Sequence, residues 1–143
     1  LWLSSSVSKG QQMANPNIVN VTQIYGQTNF LTPANTSNLV LIANAAGTSN
    51  VYKVDQVVAA NQTNTAANVT VSIYSNGAVT SGNVASGGTS YPIASNISVP
   101  AYASLIVMDK TTATYLTEDR SIVVSSGTNS AITFSVSYEQ ISS

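Results

Sequence analysis

The side chains best suited to acid–base or metal chemistry here are five carboxylates: Asp55, Asp109, Glu118, Asp119 and Glu139. They work without help from the usual companions, because the sequence holds no histidine and no cysteine. Lack of histidine removes the commonest general base and the commonest transition-metal ligand together. A Ser-His-Asp or Cys-His nucleophile is therefore impossible, as is a zinc site of the usual kind. Disulfides and thiol chemistry are absent as well. Two carboxylates flanking a glycosidic bond would suffice for glycoside hydrolysis. Glu118 and Asp119 are adjacent, but they fall in a turn before a strand starting at Ser121. Their expected task is to solvate that turn, with Arg120 and Lys110 as partners. Calcium needs only oxygen ligands and is the best metal candidate, with Asp109, Glu118 and Asp119 as its ligands. No D-x-D-x-D-G run supports it. The expectation is a protein that is not an enzyme, with no metal and no cofactor. Lys53 and Asp55 lie two apart on one strand and are expected to pair across strands or between subunits.

Tyrosines are the next residues of interest. Tyr25, Tyr74, Tyr91, Tyr102 and Tyr115 have no obligatory core position by alternation. Exposed tyrosine serves protein interfaces and sugar stacking; the ordinary alternative is a half-buried strand tyrosine. Candidate assembly residues are Leu1, Trp2 and Leu3 at the start, with Tyr25, Tyr91 and Tyr102. Asn-x-Ser/Thr triplets begin at Asn20, Asn35, Asn61, Asn68 and Asn96. With 15 asparagines and more than a quarter of the residues Ser or Thr, about four such triplets arise by chance, so they carry no signal.

The elements that must position these residues are strands. Ile132, Phe134, Val136 and Tyr138 alternate with Thr133, Ser135 and Ser137, the period-two signature of a half-buried strand. Val69, Val71 and Ile73 repeat it, and Ile93, Ile97 and Val99 are expected to share a face. Leu39–Ile42 and Leu105–Met108 are apolar on both faces. Each predicts a central strand, or one whose second face is covered by a partner. Val51–Ala59 alternates until Gln56, where the phase slips; a β-bulge would explain the slip. Ile18–Ile24 and Ser121–Ser125 bring the total to about eight. Asn76-Gly77 suits a type I′ turn, Ala45–Thr48 separates two strands, and Ser126–Asn129 reads as a hairpin loop. Ser81–Thr89 reads as a Gly/Ser loop that is mobile or touches a neighbour. The fold class predicted is all-β: a single antiparallel β-sandwich or jelly-roll-like domain with an N-terminal arm. Residues 1–16 form the arm and 17–143 the sandwich.

Charge is scarce. Only 6% of the 143 residues are charged and the net charge is −1, against roughly 25% charged in an average soluble protein. Such a surface repels its own copies weakly, which favours close packing. Four cations cannot neutralise a run of phosphates, so nucleic acid and anionic membrane surfaces are unexpected partners. No apolar run approaches the ~18 residues of a membrane-spanning helix. Leu1–Gln12 lacks a basic start and a long apolar stretch and does not read as a signal peptide. Met13-Ala14-Asn15-Pro16 reads like a natural start, which makes residues 1–12 an upstream extension or a cloning remnant. An arm with one tryptophan is best ordered by packing, either on its own domain or on a neighbouring subunit.

Several stretches in sequence order carry a family likeness. They are Met13-Ala14-Asn15-Pro16-Asn17-Ile18-Val19-Asn20-Val21-Thr22, then Val51-Tyr52-Lys53-Val54, then Ile97-Ser98-Val99-Pro100-Ala101 before Leu105-Ile106-Val107-Met108-Asp109-Lys110. Tyr115-Leu116-Thr117-Glu118-Asp119-Arg120-Ser121-Ile122 follows, and the last strand ends Ser137-Tyr138-Glu139. Over most of residues 13–141 this order resembles small structural proteins of marine tailed bacteriophages, especially those of cyanobacterial hosts. The resemblance implies a virion component, first a capsid decoration or cement protein on the virion surface and next a tail- or fibre-associated protein. It implies copies of itself and a major capsid protein as partners, and no catalytic residues or small-molecule substrate. The residues before Met13 depart from the pattern. Composition alone also suits a self-assembling extracellular filament or surface-layer subunit, and exposed Tyr and Asn would suit a carbohydrate-binding module or adhesin.

Overall fold

The computed structural model describes residues 23–108 and 114–142. Leu1, Trp2 and Leu3, the rest of the arm, Asp109 and Lys110 lie outside these. Nine strands follow one another among the described residues: β1 (Gln23–Leu31), β2 (Leu39–Asn44), β3 (Asn50–Asn61), β4 (Ala67–Tyr74), β5 (Ser90–Val99), β6 (Ser104–Met108), β7 (Thr114–Leu116), β8 (Arg120–Ser126) and β9 (Ile132–Ser142). They form two antiparallel sheets. Sheet A has the order β1-β9-β3-β6, with β7 also on β3; sheet B has the order β2-β8-β4-β5. β6 and β7 both run along β3, at Val57–Ala60 and Tyr52–Val54 respectively. They act as one interrupted strand. The pairing is then nested: β1 with β9, β2 with β8, β3 with β6/β7, β4 with β5. A two-ply ribbon rolled up in this way is a jelly roll, the architecture of two packed Greek keys.

Alternation decides the core. Ile132, Phe134 and Val136 of β9 are fully buried and Tyr138 nearly so. From sheet B they meet Leu41, Ile42, Val69, Val71, Ile122 and Val124 in one cluster. The slip in β3 is a bulge, since Val54 pairs with Tyr138 and Gln56 with Ser137. The extra residue, Asp55, restores the phase so that Val54 and Val57 both point inward and are both fully buried.

Several expected elements differ. Thr114–Leu116 is a strand too short to show a period. β1 extends to Leu31 through Gly26-Gln27-Thr28-Asn29, residues of low strand propensity that are held by pairing with β9 over their full length. Leu39–Ile42 and Leu105–Met108 are not central, because β2 and β6 stand at the ends of their sheet orders. Ile93 is out of phase with Ile97 and Val99. Two register breaks intervene, and Ala94 takes the place opposite Val71. Ser126–Asn129 is no hairpin: β8 and β9 belong to different sheets, so this loop arches between them. Asn76-Gly77 opens a long connection, 75–89, rather than a two-residue turn.

Candidate assembly surface

The outer sides of the two sheets are treated differently. On sheet B, segment 75–89 lies over the strands. Val40, Tyr74 and Val123 are buried there in a second small cluster with Val79 and Ala85. The Gly88 amide donates to the Tyr74 hydroxyl at 2.9 Å. A Cβ on Gly88 would meet the Tyr74 ring at 2.9 Å, so this close approach needs glycine. The same segment binds the free edge of β2: Val40 N donates to Asn83 O, Gly82 N to Val40 O and Ala85 N to Asn38 O. The two-faced apolar character of Leu39–Ile42 is thus explained within the chain, and Ser81–Thr89 packs on its own domain.

Sheet A has no such cover among the described residues. Its register places Phe30 beside Ser135, Ser135 beside Val58 and Val58 beside Ile106, one row across four strands. Phe30 is 65% exposed and Ile106 58%. A second row runs Ile24, Ile141, Val51, with Ile24 exposed. Between them run Thr28 beside Ser137, with hydroxyls 3.4 Å apart, and Gly26, Glu139, Lys53, Tyr115. Tyr115 is exposed. The result is a face of small hydroxyl side chains with four large apolar or aromatic residues exposed on it. Isolated exposed apolar residues are ordinary, but these four share one face, on its edge strands β1, β6 and β7, with Val58, Ile141 and Val51 between them, and an apolar face of this kind suits an interaction surface.

Among the described residues its charge is confined to Lys53 and Glu139, neighbours in the register of β3 and β9. Asp55 does not share it. Its Oδ1 is buried without a hydrogen-bond partner among the described residues. An unsatisfied buried oxygen costs about 1–3 kcal/mol. Asp55→Ala is therefore expected to raise stability by about 1 kcal/mol, read as a melting temperature about 3 °C higher. A loss of stability instead would mean that the carboxylate has a partner.

Of the candidate acids, Asp119 is engaged in the fold, while Asp109 lies outside the described residues. Asp119 sits at a tight corner with φ 59°. Its Oδ1 accepts from the Gly77 amide at 3.1 Å and its own N donates to Asn44 O. Its neighbour Arg120 turns back to the Asp119 carbonyl. Among the described residues, no three His, Cys, Asp or Glu side chains gather as metal ligands would.

The tyrosines divide. Tyr25 lies on β1, Tyr91 on β5 and Tyr102 in the β5–β6 loop, all exposed. β1 and β5 stand at opposite ends of the rolled ribbon, so these three candidates do not form one patch. Tyr102 holds φ 55°, a left-handed conformation that costs a residue with a side chain about 1–2 kcal/mol. Tyr74 is core. Tyr52 and Tyr138 stack with ring centroids 4.9 Å apart, and the Tyr138 hydroxyl donates to Gln27 Oε1. Burial raises both phenol pKa values, and for Tyr138 the nearby Tyr52 raises it further. The unfolded chain then ionises first, near pH 10. Stability is intact below that pH and falls as pH rises through the higher folded values. Tyr52→Phe is expected to flatten this alkaline loss in a pH series of denaturant melts; an unchanged slope would place the loss elsewhere.

The sequence missed Phe30, Ile106 and Ile24 as surface residues. The apolar two-faced run at Leu105–Met108 was the available signal for Ile106. Among the acceptor triplets, Asn61 is buried, with its Nδ2 donating to Thr65 O and Val99 O, so it is a structural clip. No family model, curated protein or solved structure matches the chain.

Proposed function

We propose that this chain is a virion structural protein, a decoration or cement subunit that stabilises the shell of a tailed bacteriophage by binding neighbouring subunits. The observation that carries the assembly part is the outer face of sheet A, uncovered among the described residues, with Phe30 and Ile106 in one cross-strand row and Ile24 and Tyr115 exposed in two others. A face with exposed apolar and aromatic side chains and almost no charge suits a contact with neighbouring subunits. The jelly roll is compatible with this role, but it also serves lectins and cupins, so the fold does not decide function. The phage setting rests on the sequence resemblance over residues 13–141.

A cement protein binds the assembled lattice and not its separated parts, and so stabilises the lattice by mass action. Purified chain added to stripped shells of the parent phage should raise their heat resistance and saturate at a fixed ratio to the major capsid protein. Phe30→Lys combined with Ile106→Lys should abolish both effects while leaving the melting temperature of the free chain nearly unchanged. Shells whose resistance is indifferent to added wild-type chain would refute the cement role.

A further inference from the structure

Each sheet edge offers a row of unpaired backbone groups, which natural proteins normally block. Three of the four edges here carry such devices. The free edge of β2 is occupied by Gly82–Ala85. β5 contains Pro92 and two register breaks. β6 is five residues long with a break at Val107, and β7 has only three residues. β1 carries none. Its nine residues, Gln23–Leu31, run in unbroken register with β9 and include no proline, charge or bulge. Among the described residues no backbone group pairs with its outer edge. Asn29 reaches Leu41 O and Ser81 Oγ with its side chain alone.

The geometry points to a second copy of this chain as the occupant, with the two β1 strands pairing antiparallel about a two-fold axis at Gln27. The sequence of β1 is complementary to itself in that register. Ile24 falls opposite Phe30 of the other copy, and Phe30 opposite its Ile24. These are the two large apolar side chains that β1 exposes on the outer face of sheet A, at 59% and 65%. Gly26 falls opposite Thr28, Tyr25 opposite Asn29 and Gln23 opposite Leu31. Paired positions share parity, so whichever alternate set of β1 groups faces outward meets the same set of its partner. Sheet A then continues through both copies. The row Ile106, Val58, Ser135, Phe30 runs on into Ile24, Ile141 and Val51 of the second copy. Aromatic–aliphatic cross-strand pairs are among the favourable ones. An isologous contact also closes: with the other edges blocked, it gives a dimer and not a fibre.

This deepens the assembly reading and borrows from it only its setting. Pairing is read on the purified chain and shell stabilisation on capsids, so either can fail without the other.

The test is light scattering coupled to size exclusion on the 143-residue chain at about 0.1 mM. Wild type should run at twice the chain mass. Ile24→Lys with Phe30→Lys sets like charges opposite each other twice and should give monomer. Ile24→Lys with Phe30→Glu sets Lys opposite Glu twice and should restore the dimer. Both residues are exposed, so circular dichroism should show all three proteins folded. Register is checked with Gly26→Cys plus Thr28→Cys. A Cβ at Gly26 meets nothing within 4 Å, and the chain has no other cysteine, so mild oxidation should give a covalent dimer. Monomeric wild type, a dimer that survives the double-lysine change, or no cross-link in a dimeric sample would each overturn the pairing.

Discussion

Phe134→Ala is expected to cost about 3–5 kcal/mol, the range for emptying a buried aromatic site. Phe134 is fully buried near the start of β9, the strand that joins β1 to β3. Its partners in register are Leu31 and Ala59. Ala59 is too small to fill the void, and the paired strands on both sides prevent collapse, so the high end of the range applies. A domain with a total stability of about 5–15 kcal/mol loses a large share of it. Urea denaturation should show a lower midpoint with an unchanged slope, because the surface exposed on unfolding is nearly the same. A loss below about 1 kcal/mol would mean that the two sheets do not meet at this residue.

Asn44→Ala should be nearly as damaging although no apolar contact is lost. Asn44 is fully buried where β2 leaves sheet B. Its Nδ2 donates to Asn50 O at 2.8 Å and to Leu116 O at 3.0 Å, while its Oδ1 accepts from the Thr48 hydroxyl. One side chain thus ties the ends of β3 and β7 in sheet A to β2 in sheet B. Alanine would leave two carbonyls without their donor, at about 1–3 kcal/mol for each buried group stranded. The crossing is tight: a Cβ on Gly77 would lie 2.3 Å from Asn44 O. The expected loss is about 3 kcal/mol by the same denaturation. Asn35→Ala, on an exposed loop where the side chain caps only Ser37 N, should cost under about 1 kcal/mol. Equal effects at both positions would contradict the clip.

These two residues show what the sequence could reveal. Phe134 was legible because period-two alternation places it with Ile132, Val136 and Tyr138 on one face, and the bulge in β3 was legible as a slip in the same period. Asn44 was not. A buried asparagine and an exposed one look alike until the strands it bridges are known, and both belong to a chain rich in asparagine. The nested strand order was likewise hidden, since pairing is non-local and each strand is compatible with several neighbours. The assembly face was legible only in part. Leu105–Met108 announced an apolar second face, but so did Leu39–Ile42, and among the described residues one is covered by 75–89 while the other is not. Phe30 gave no signal, because the polar run before it masked the strand. The tyrosines were singled out for their chemistry, and register scatters them: Tyr115 joins the bare face, while Tyr91 and Tyr102 lie elsewhere.

The central claim is that the outer face of sheet A is where this protein meets its assembly. Hydroxyl-radical footprinting of the chain, free and bound on the phage shells that the proposed cement role requires, tests it directly. Bound chain should show oxidation of Phe30, Ile106 and Tyr115 reduced several-fold, with Val84 on the sheet B side unchanged. Unchanged reactivity at those three residues, or protection confined to Val84 and its segment, would show that the assembly is made through the other side of the molecule.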